Sequence, residues 1–264
     1  MTKTVQWQKI YEHDLVPTIF GPWSTQTVAL AVPNEGDSVL DVACGTGIVT
    51  RLAAQYVGTH GRVIGLDVDP GMVEVARSLP APPGTSIDWE VGDALMLPFP
   101  DAMFHIAFCQ GGLQFVPDRL TALREMSRVL RPGGRLALMV GQHIQYCPGF
   151  AIVVDKLAKH VDWQAATLLR VPFSLGDAEE LRSLMVEAGF QDVIIRPKVK
   201  MIRFPSPAKF VQSLITGSSI ASQVDENTKA KLISEASLEL QPFVKNAELS
   251  FPMAVHFAVA RTGD

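Results

Sequence analysis

The sequence predicts an α/β protein with a doubly wound, mostly parallel sheet. Two observations carry that expectation. Residues 38 to 141 alternate short apolar strands with amphipathic helical stretches, the pattern of a parallel sheet covered on both faces. Carboxylates (Asp41, Asp67 and Asp93) also recur at the carboxyl ends of three successive strands, where open α/β sheets bind their ligands.

The strands expected in order are Ser38–Ala43, Arg62–Asp67, Ser86–Val91, Phe104–Cys109 and Arg135–Gly141, with helices at Gly47–Tyr56, Pro70–Leu79 and Asp118–Leu130 between them. The last helix places Leu120, Leu123, Met126 and Leu130 at helical spacing. It starts at Pro117-Asp118 and stops before Pro132-Gly133-Gly134. Beyond residue 141 the rhythm changes to a helix Asp177–Ala188, a long strand Gln191–Phe204 and a final strand Phe251–Arg261. Two insertions interrupt this tail. One, 143–176, carries Phe150, Val153, Val154, Leu157 and Val161 on one helical face. The other, 205–250, carries Phe210, Leu214 and Ile215 on one helix and Leu232, Ile233, Ala236 and Leu240 on the next. The N-terminal arm aligns Trp7, Ile10, Tyr11 and Leu15, and Pro17 and Pro22 are expected to punctuate it. The chain thus reads as a single domain, 1–264, with a ligand-binding core at 36–141. Segments 1–30, 143–176 and 205–250 either form a cap over a substrate or simply cover the core.

A chain of 264 residues, 47% hydrophobic, is long enough for one large core. A net charge of -4 and a pI near 5.9 argue against a nucleic-acid footprint. Cys44, Cys109 and Cys147 have neither metal-ligand nor disulfide-framework spacing, so they are expected to be reduced thiols in a cytoplasmic protein. No run approaches the length of a membrane span, and no cluster has metal-ligand spacing, so no metal is expected. A mean hydropathy of +0.19 leaves room for an apolar pocket or a homodimer interface.

The segment Val39-Leu-Asp-Val-Ala-Cys-Gly-Thr-Gly47 closes the first strand and opens the first helix. Gly45 and Gly47 allow a tight turn that brings backbone N–H groups close to a ligand. Such a turn alone also serves dinucleotides, but the third glycine of that fingerprint is replaced by Thr50. Asp41, four residues ahead of Gly45, would repel a pyrophosphate and attract an ammonium. Asp67, at the end of the second strand, can accept hydrogen bonds from both hydroxyls of a ribose. Asp93 can accept one from an adenine amino group.

These residues, together with Val63-Ile-Gly-Leu-Asp67, Gly92-Asp93-Ala94, Leu97-Pro-Phe-Pro-Asp101 with Phe104, and Leu130-Arg-Pro-Gly-Gly134, resemble the class I S-adenosylmethionine-dependent methyltransferases. The likeness is greatest to the UbiE/Coq5-like branch of small-molecule enzymes and covers about the first 140 residues. It implies a Rossmann-like, seven-stranded sheet whose last strand is antiparallel, S-adenosylmethionine as cofactor and S-adenosylhomocysteine as product. It further implies that Asp41, Gly45, Thr46 and Gly47 hold the methionine end and Asp67 the ribose. Val68 and Met72 would flank the adenine, Asp93 and Ala94 would meet its edge, and Gln110 would contact the methionine moiety. Gln114 stands where many relatives carry a histidine near cofactor and acceptor. Tyr11 and Phe20 resemble residues that close over the cofactor; Phe20 and Trp23 read equally as core aromatics.

The activity implied is methyl transfer to oxygen or carbon of a small, partly hydrophobic acceptor. The alternative is a cofactor-binding protein without transferase activity. His143, Tyr146 and His256 are the candidates for a base, each open to a purely structural reading.

Overall fold

The computed structural model describes residues 6–263. The arm forms α1 (Gln6–Ile10), a π-helical segment Tyr11–Phe20 and α2 (Gly21–Ala31), which run on without a break. Pro17 therefore does not punctuate the arm. It has no N–H to donate, and the helix adapts by widening: Gly21 N–H reaches the carbonyl of Val16, five residues back, while the Thr18 hydroxyl caps the carbonyl of Asp14 at 2.5 Å. Pro22 falls in the first turn of α2, where a missing N–H costs nothing.

The core follows as β1 (Ser38–Val42), α3 (Ile48–Val57), β2 (Arg62–Asp67), α4 (Pro70–Ser78), β3 (Ser86–Val91), β4 (Phe104–Gln110), α5 (Arg119–Val129) and β5 (Leu130–Gly141). Then come α6 (Pro148–His160), α7 (Trp163–Arg170), α8 (Ala178–Glu187), β6 (Phe190–Phe204), α9 (Pro207–Thr216), α10 (Glu226–Glu239), the two-residue β7 (Val244–Lys245) and β8 (Glu248–Thr262). Seven strands lie in the order β3-β2-β1-β4-β5-β8-β6. β8 runs antiparallel between β5 and β6, and the short β7 pairs with β8 as an eighth strand. β5 begins at Leu130, five residues before the expected start. Leu130 pairs with Phe104 ahead of a register shift, and the Arg131–Gly134 stretch turns, with Gly133 at φ near +68°, beside the end of β8, where Gly133 N–H donates to the Gly263 carbonyl.

The apolar faces of the arm and both insertions meet in one cluster with β5, β6 and β8. Phe150, Phe204, Phe210 and Phe251 stack in it with ring centroids 4.9–5.9 Å apart. Gly149 opens α6 to that cluster: a Cβ there would sit 2.6 Å from the Phe251 ring. Polar contacts pin the arm to α9, where Asp14 accepts from Lys209 at 2.6 Å and Ser213 at 2.7 Å. Burial pushes the Asp14 carboxyl up, but the hydrogen bonds from Lys209, His13 and Ser213 outweigh it and leave it below its usual range.

Candidate cofactor site

The site forms where β1 and β2 end. Three residues of the turn between β1 and α3 (Ala43, Gly45 and Gly47) hold φ near +55°, +56° and +85°. Only Gly47 is wholly denied a side chain: a Cβ there would come 2.1 Å from the Trp89 ring tip, and Gly65 on β2 meets the same ring at 2.6 Å. Trp89 of β3 is thus wedged against two glycines and sets the height of the loop.

Carboxylates fasten the turn. Asp67 accepts from Gly45 N–H at 2.7 Å with one oxygen and from Asp69 N–H at 2.9 Å with the other. Asp41 is only 1% exposed and lies beneath the loop, where one oxygen accepts from Thr50 at 2.6 Å. It therefore shapes the potential under Gly45 and Gly47 and offers no open carboxylate at the surface. The Thr50 that replaces the dinucleotide glycine is its anchor. Burial pushes the Asp41 carboxyl up to about 7 against the Thr50 hydrogen bond, with neighbouring Asp67 adding to the rise. Asp67 is raised as well, by burial, against the N–H groups of Asp69 and Gly45.

The arm closes the other side. Tyr11 Oη would lie 3.7 Å from a Cβ at Gly45, and its ring packs on Phe20 with centroids 5.0 Å apart. Burial first, then the charges of Asp67 and Glu12, raise the Tyr11 phenol far above its usual value, so it stays a neutral donor. Gln110 holds the arm in place: its Nε2 donates to the Phe20 carbonyl at 3.2 Å and its Oε1 accepts from Thr27 at 2.5 Å. Three residues of this closure are missing from the sequence reading. Glu12 accepts from the Thr46 hydroxyl and lies 3.8 Å from Arg51, Arg51 donates to the Thr46 carbonyl at 2.7 Å, and Gln8 reaches Asp69 at 3.0 Å. Gln8 and Glu12 sit one helical turn apart beside Tyr11, a polar margin on an apolar stripe that could have signalled a docked face.

Toward β3, Gly92 N–H donates to the Asp67 carbonyl at 3.0 Å, which brings Asp93 and Ala94 up to the same rim. Asp93 is exposed, with one oxygen accepting from Leu95 N–H at 2.9 Å; Ala94 and Met72 are buried. Val68 stands 68% exposed directly after Asp67, an apolar surface open to a flat ring. The remaining candidates lie elsewhere. Gln114 is buried; its Nε2 donates to the Pro172 carbonyl at 3.1 Å, and its Oε1 has no partner among the described residues. His256 is buried with Nε2 at 2.9 Å from the Gly176 carbonyl, whereas His143 and Tyr146 are exposed.

A methyltransferase domain model matches residues 40–138. Over 188 residues, 66% of this chain and 76% of the relative, the sequence is 32% identical to a demethylmenaquinone methyltransferase of Staphylococcus epidermidis. The chain belongs to the class I S-adenosylmethionine-dependent methyltransferases. A 2-phytyl-1,4-naphtoquinone methyltransferase of Synechococcus elongatus is 42% identical over 128 residues, 48% of this chain and 54% of that one, so the chain spans about half the length of this relative. The YcgJ protein of Bacillus subtilis superposes with a TM-score of 0.63 over 92% of this chain and 99% of its own, at 20% identity, a likeness of fold.

The site of this methyltransferase fits the cofactor of its family. Asp41, Asp67 and Glu12 gather around one glycine turn with Arg51 as the cation in ion-pair range, and two of those carboxylates are raised by burial. Buried carboxylates that resist ionising alone are stabilised as anions by a cation, so the cluster favours a ligand bearing an ammonium and a sulfonium over a pyrophosphate.

Proposed function

We propose that the chain transfers the methyl group of S-adenosylmethionine to oxygen or carbon of a small, partly hydrophobic acceptor. When bound, the cofactor supplies a methyl group already activated on its sulfonium, so the protein needs no nucleophile of its own. The observation that carries this reading is the closure of Tyr11, Phe20 and Glu12 over the Gly45–Gly47 turn, which shields the site from water. Asp67 is the residue for the ribose, with Val68 and Met72 for the adenine faces and Asp93 and Ala94 for its edge. Gly45, Thr46 and Gly47 would hold the methionine end through backbone groups, with Asp41 beneath them and Gln110 at the side.

A cavity of about 460 Å³ lined by His143, Ile144, Gln145, Arg170, Phe173 and Ser174 supports a separate place for the acceptor. Its Phe173 directly follows Pro172, whose carbonyl accepts from Gln114 at 3.1 Å, so that amide lies next to the chain segment that lines the cavity. Its wall joins apolar Ile144 and Phe173 to polar groups that can hold an oxygen, which suits an aromatic ring with oxygen substituents. The names of the relatives, a 2-phytyl-1,4-naphtoquinone methyltransferase and a ubiquinone/menaquinone biosynthesis C-methyltransferase, support the same class. Positioning would supply most of the rate; His143 would serve as base where the acceptor must first lose a proton. The partner is thus a small molecule. Among the described residues, no helix is long and apolar enough to cross a membrane.

The test uses S-adenosylmethionine with a deuterated methyl group, the purified chain, a panel of hydroquinones and phenols, and mass spectrometry. A labelled product whose fragments place the methyl on ring carbon or oxygen is expected. Calorimetric binding of S-adenosylhomocysteine with no labelled product across the panel and a metabolite extract would overturn transferase activity and leave a binding protein.

A further inference from the structure

At the opposite end of the sheet from the cofactor site, a second cavity of about 300 Å³ is lined by His105, Arg131, Pro132, Gly133, Gly134, Arg135 and Arg261. It lies where β4 and β5 begin and β8 ends. We propose that this cavity is an oxyanion site for a phosphate-class ligand, held by Arg131, Arg261 and His105.

Hydrogen-bond chemistry carries the argument. Ser38 N–H donates to His105 Nδ1 at 2.8 Å, so Nδ1 is an acceptor and the ring proton must sit on Nε2. Nε2, however, faces Arg131 Nη1 at 2.8 Å, and a guanidinium can only donate. Two donors therefore meet head-on at contact distance. An oxyanion bound in the cavity that draws the Arg131 guanidinium off Nε2 can accept from both and removes the conflict.

The strand register adds a second, independent frustration. Arg135 of β5 and Arg261 of β8 are direct cross-strand partners, an arrangement in which like charges repel. Among the described residues, the carboxylate in ion-pair range of this group is Asp37, which Arg135 engages at 3.2 Å and which lies 3.8 Å from His105. Among the described residues, one carboxylate thus faces the guanidinium groups of Arg131, Arg135 and Arg261.

The backbone is built to hold this arrangement. Gly133 adopts φ near +68°, and a Cβ at Gly134 would meet the Arg131 carbonyl at 2.7 Å, so the turn that presents Arg131 admits no side chain there. The Thr262 hydroxyl donates to that same carbonyl at 2.6 Å and ties the turn to the end of β8 beside Arg261. The volume exceeds that of one phosphate and leaves room for an ester or a pyrophosphate. A phosphorylated metabolite and a phospholipid headgroup present the same chemistry.

The test titrates the full chain with inorganic phosphate and with pyrophosphate, following the side-chain ¹⁵N signals of the histidines by NMR and heat by calorimetry. The His105 Nε2 signal is expected to move and saturate, more tightly with pyrophosphate. Arg131→Gln and Arg261→Gln, which keep the aliphatic stems, are each expected to weaken pyrophosphate about tenfold while S-adenosylhomocysteine binding changes less than twofold. Flotation with phosphatidylglycerol vesicles against phosphatidylcholine vesicles separates the sources: capture by the anionic vesicles that is lost in Arg131→Gln assigns a headgroup, and calorimetric binding alone assigns a soluble phosphate. A His105 signal in the unmodified chain that ignores both anions overturns the site. So does pyrophosphate affinity equal in the unmodified chain and both variants.

Discussion

Where β1 and β2 end, the proposed cofactor site is made of backbone and carboxylates: left-handed residues at 43, 45 and 47, and Asp41 and Asp67 tied to N–H and hydroxyl donors. Above β5, β8 and β6 the molecule is made instead of phenylalanine rings, Phe150, Phe204, Phe210 and Phe251, brought together from distant parts of the chain. The first region takes its shape from local geometry and its affinity from charge. The second takes both from packing. The two should therefore fail in different ways.

Phe210→Ala should have the largest effect. The ring is fully buried and touches the rings of Phe150, Phe204 and Phe251, so its loss should cost about 3–5 kcal/mol in chemical denaturation. Calorimetry under folding conditions should show S-adenosylhomocysteine affinity within about threefold of the parent. A collapse of S-adenosylhomocysteine affinity at a pH and temperature where the variant is folded would mean that the phenylalanine cluster and the glycine-turn end are one unit.

Gly47→Ala comes next, at about 2–4 kcal/mol of stability, because the new Cβ meets both an unfavourable φ and the Trp89 ring. Adding Trp89→Ala should relieve the steric part and leave the backbone part. No recovery in the double variant would show that φ alone sets the cost.

This contrast also explains what the sequence discloses. Glycines, acidic residues and strand ends at fixed offsets are local signals, which is why the 38–141 core and the cluster of Asp41, Gly45, Gly47 and Asp67 are readable one stretch at a time. The partnership of Phe150 with Phe210 and Phe251 spans a hundred residues, and nothing in the helical periodicity of any one stretch names the others. The arm falls between. Its apolar face is legible, but the unbroken passage through Pro17 depends on a π turn that no propensity encodes, and Glu12 becomes a site residue only because Thr46 comes to meet it. Likewise His105 reads as an ordinary strand residue until the fold sets it against Ser38 and Arg131.

Asp67→Ala should act on binding more than on folding. The carboxylate holds the Gly45 and Asp69 N–H groups and is the ribose candidate, so S-adenosylhomocysteine affinity should weaken by about 1–3 kcal/mol, read by calorimetry. Unchanged affinity would mean that the ribose is held elsewhere on the rim.

The smallest effect separates charge from packing most cleanly. With its carboxyl raised to about 7, Asp41 stays protonated in the folded chain across a range where the unfolded chain has already ionised, from about pH 4 upward. Folding then takes up a proton, so the stabilising contribution is complete below about pH 4 and is lost as pH rises through about 7. Asp67, raised in the same direction, adds to the slope. The ligand-free chain should lose a few degrees of Tm between pH 5 and 8, and Asp41→Asn, which keeps a partner for Thr50, should remove part of that loss. A cationic ligand favours the ionised carboxylate, so S-adenosylhomocysteine, through its ammonium, should bind more tightly as pH climbs toward 7, with protons released to the buffer. Phe210→Ala, by contrast, should lower stability equally at pH 5 and pH 8, because no charge enters its cost. If Asp41→Asn leaves both the Tm slope and the proton release intact, the pH response belongs to Asp67 and the rim, and the buried carboxylate under the loop is a matter of shape alone.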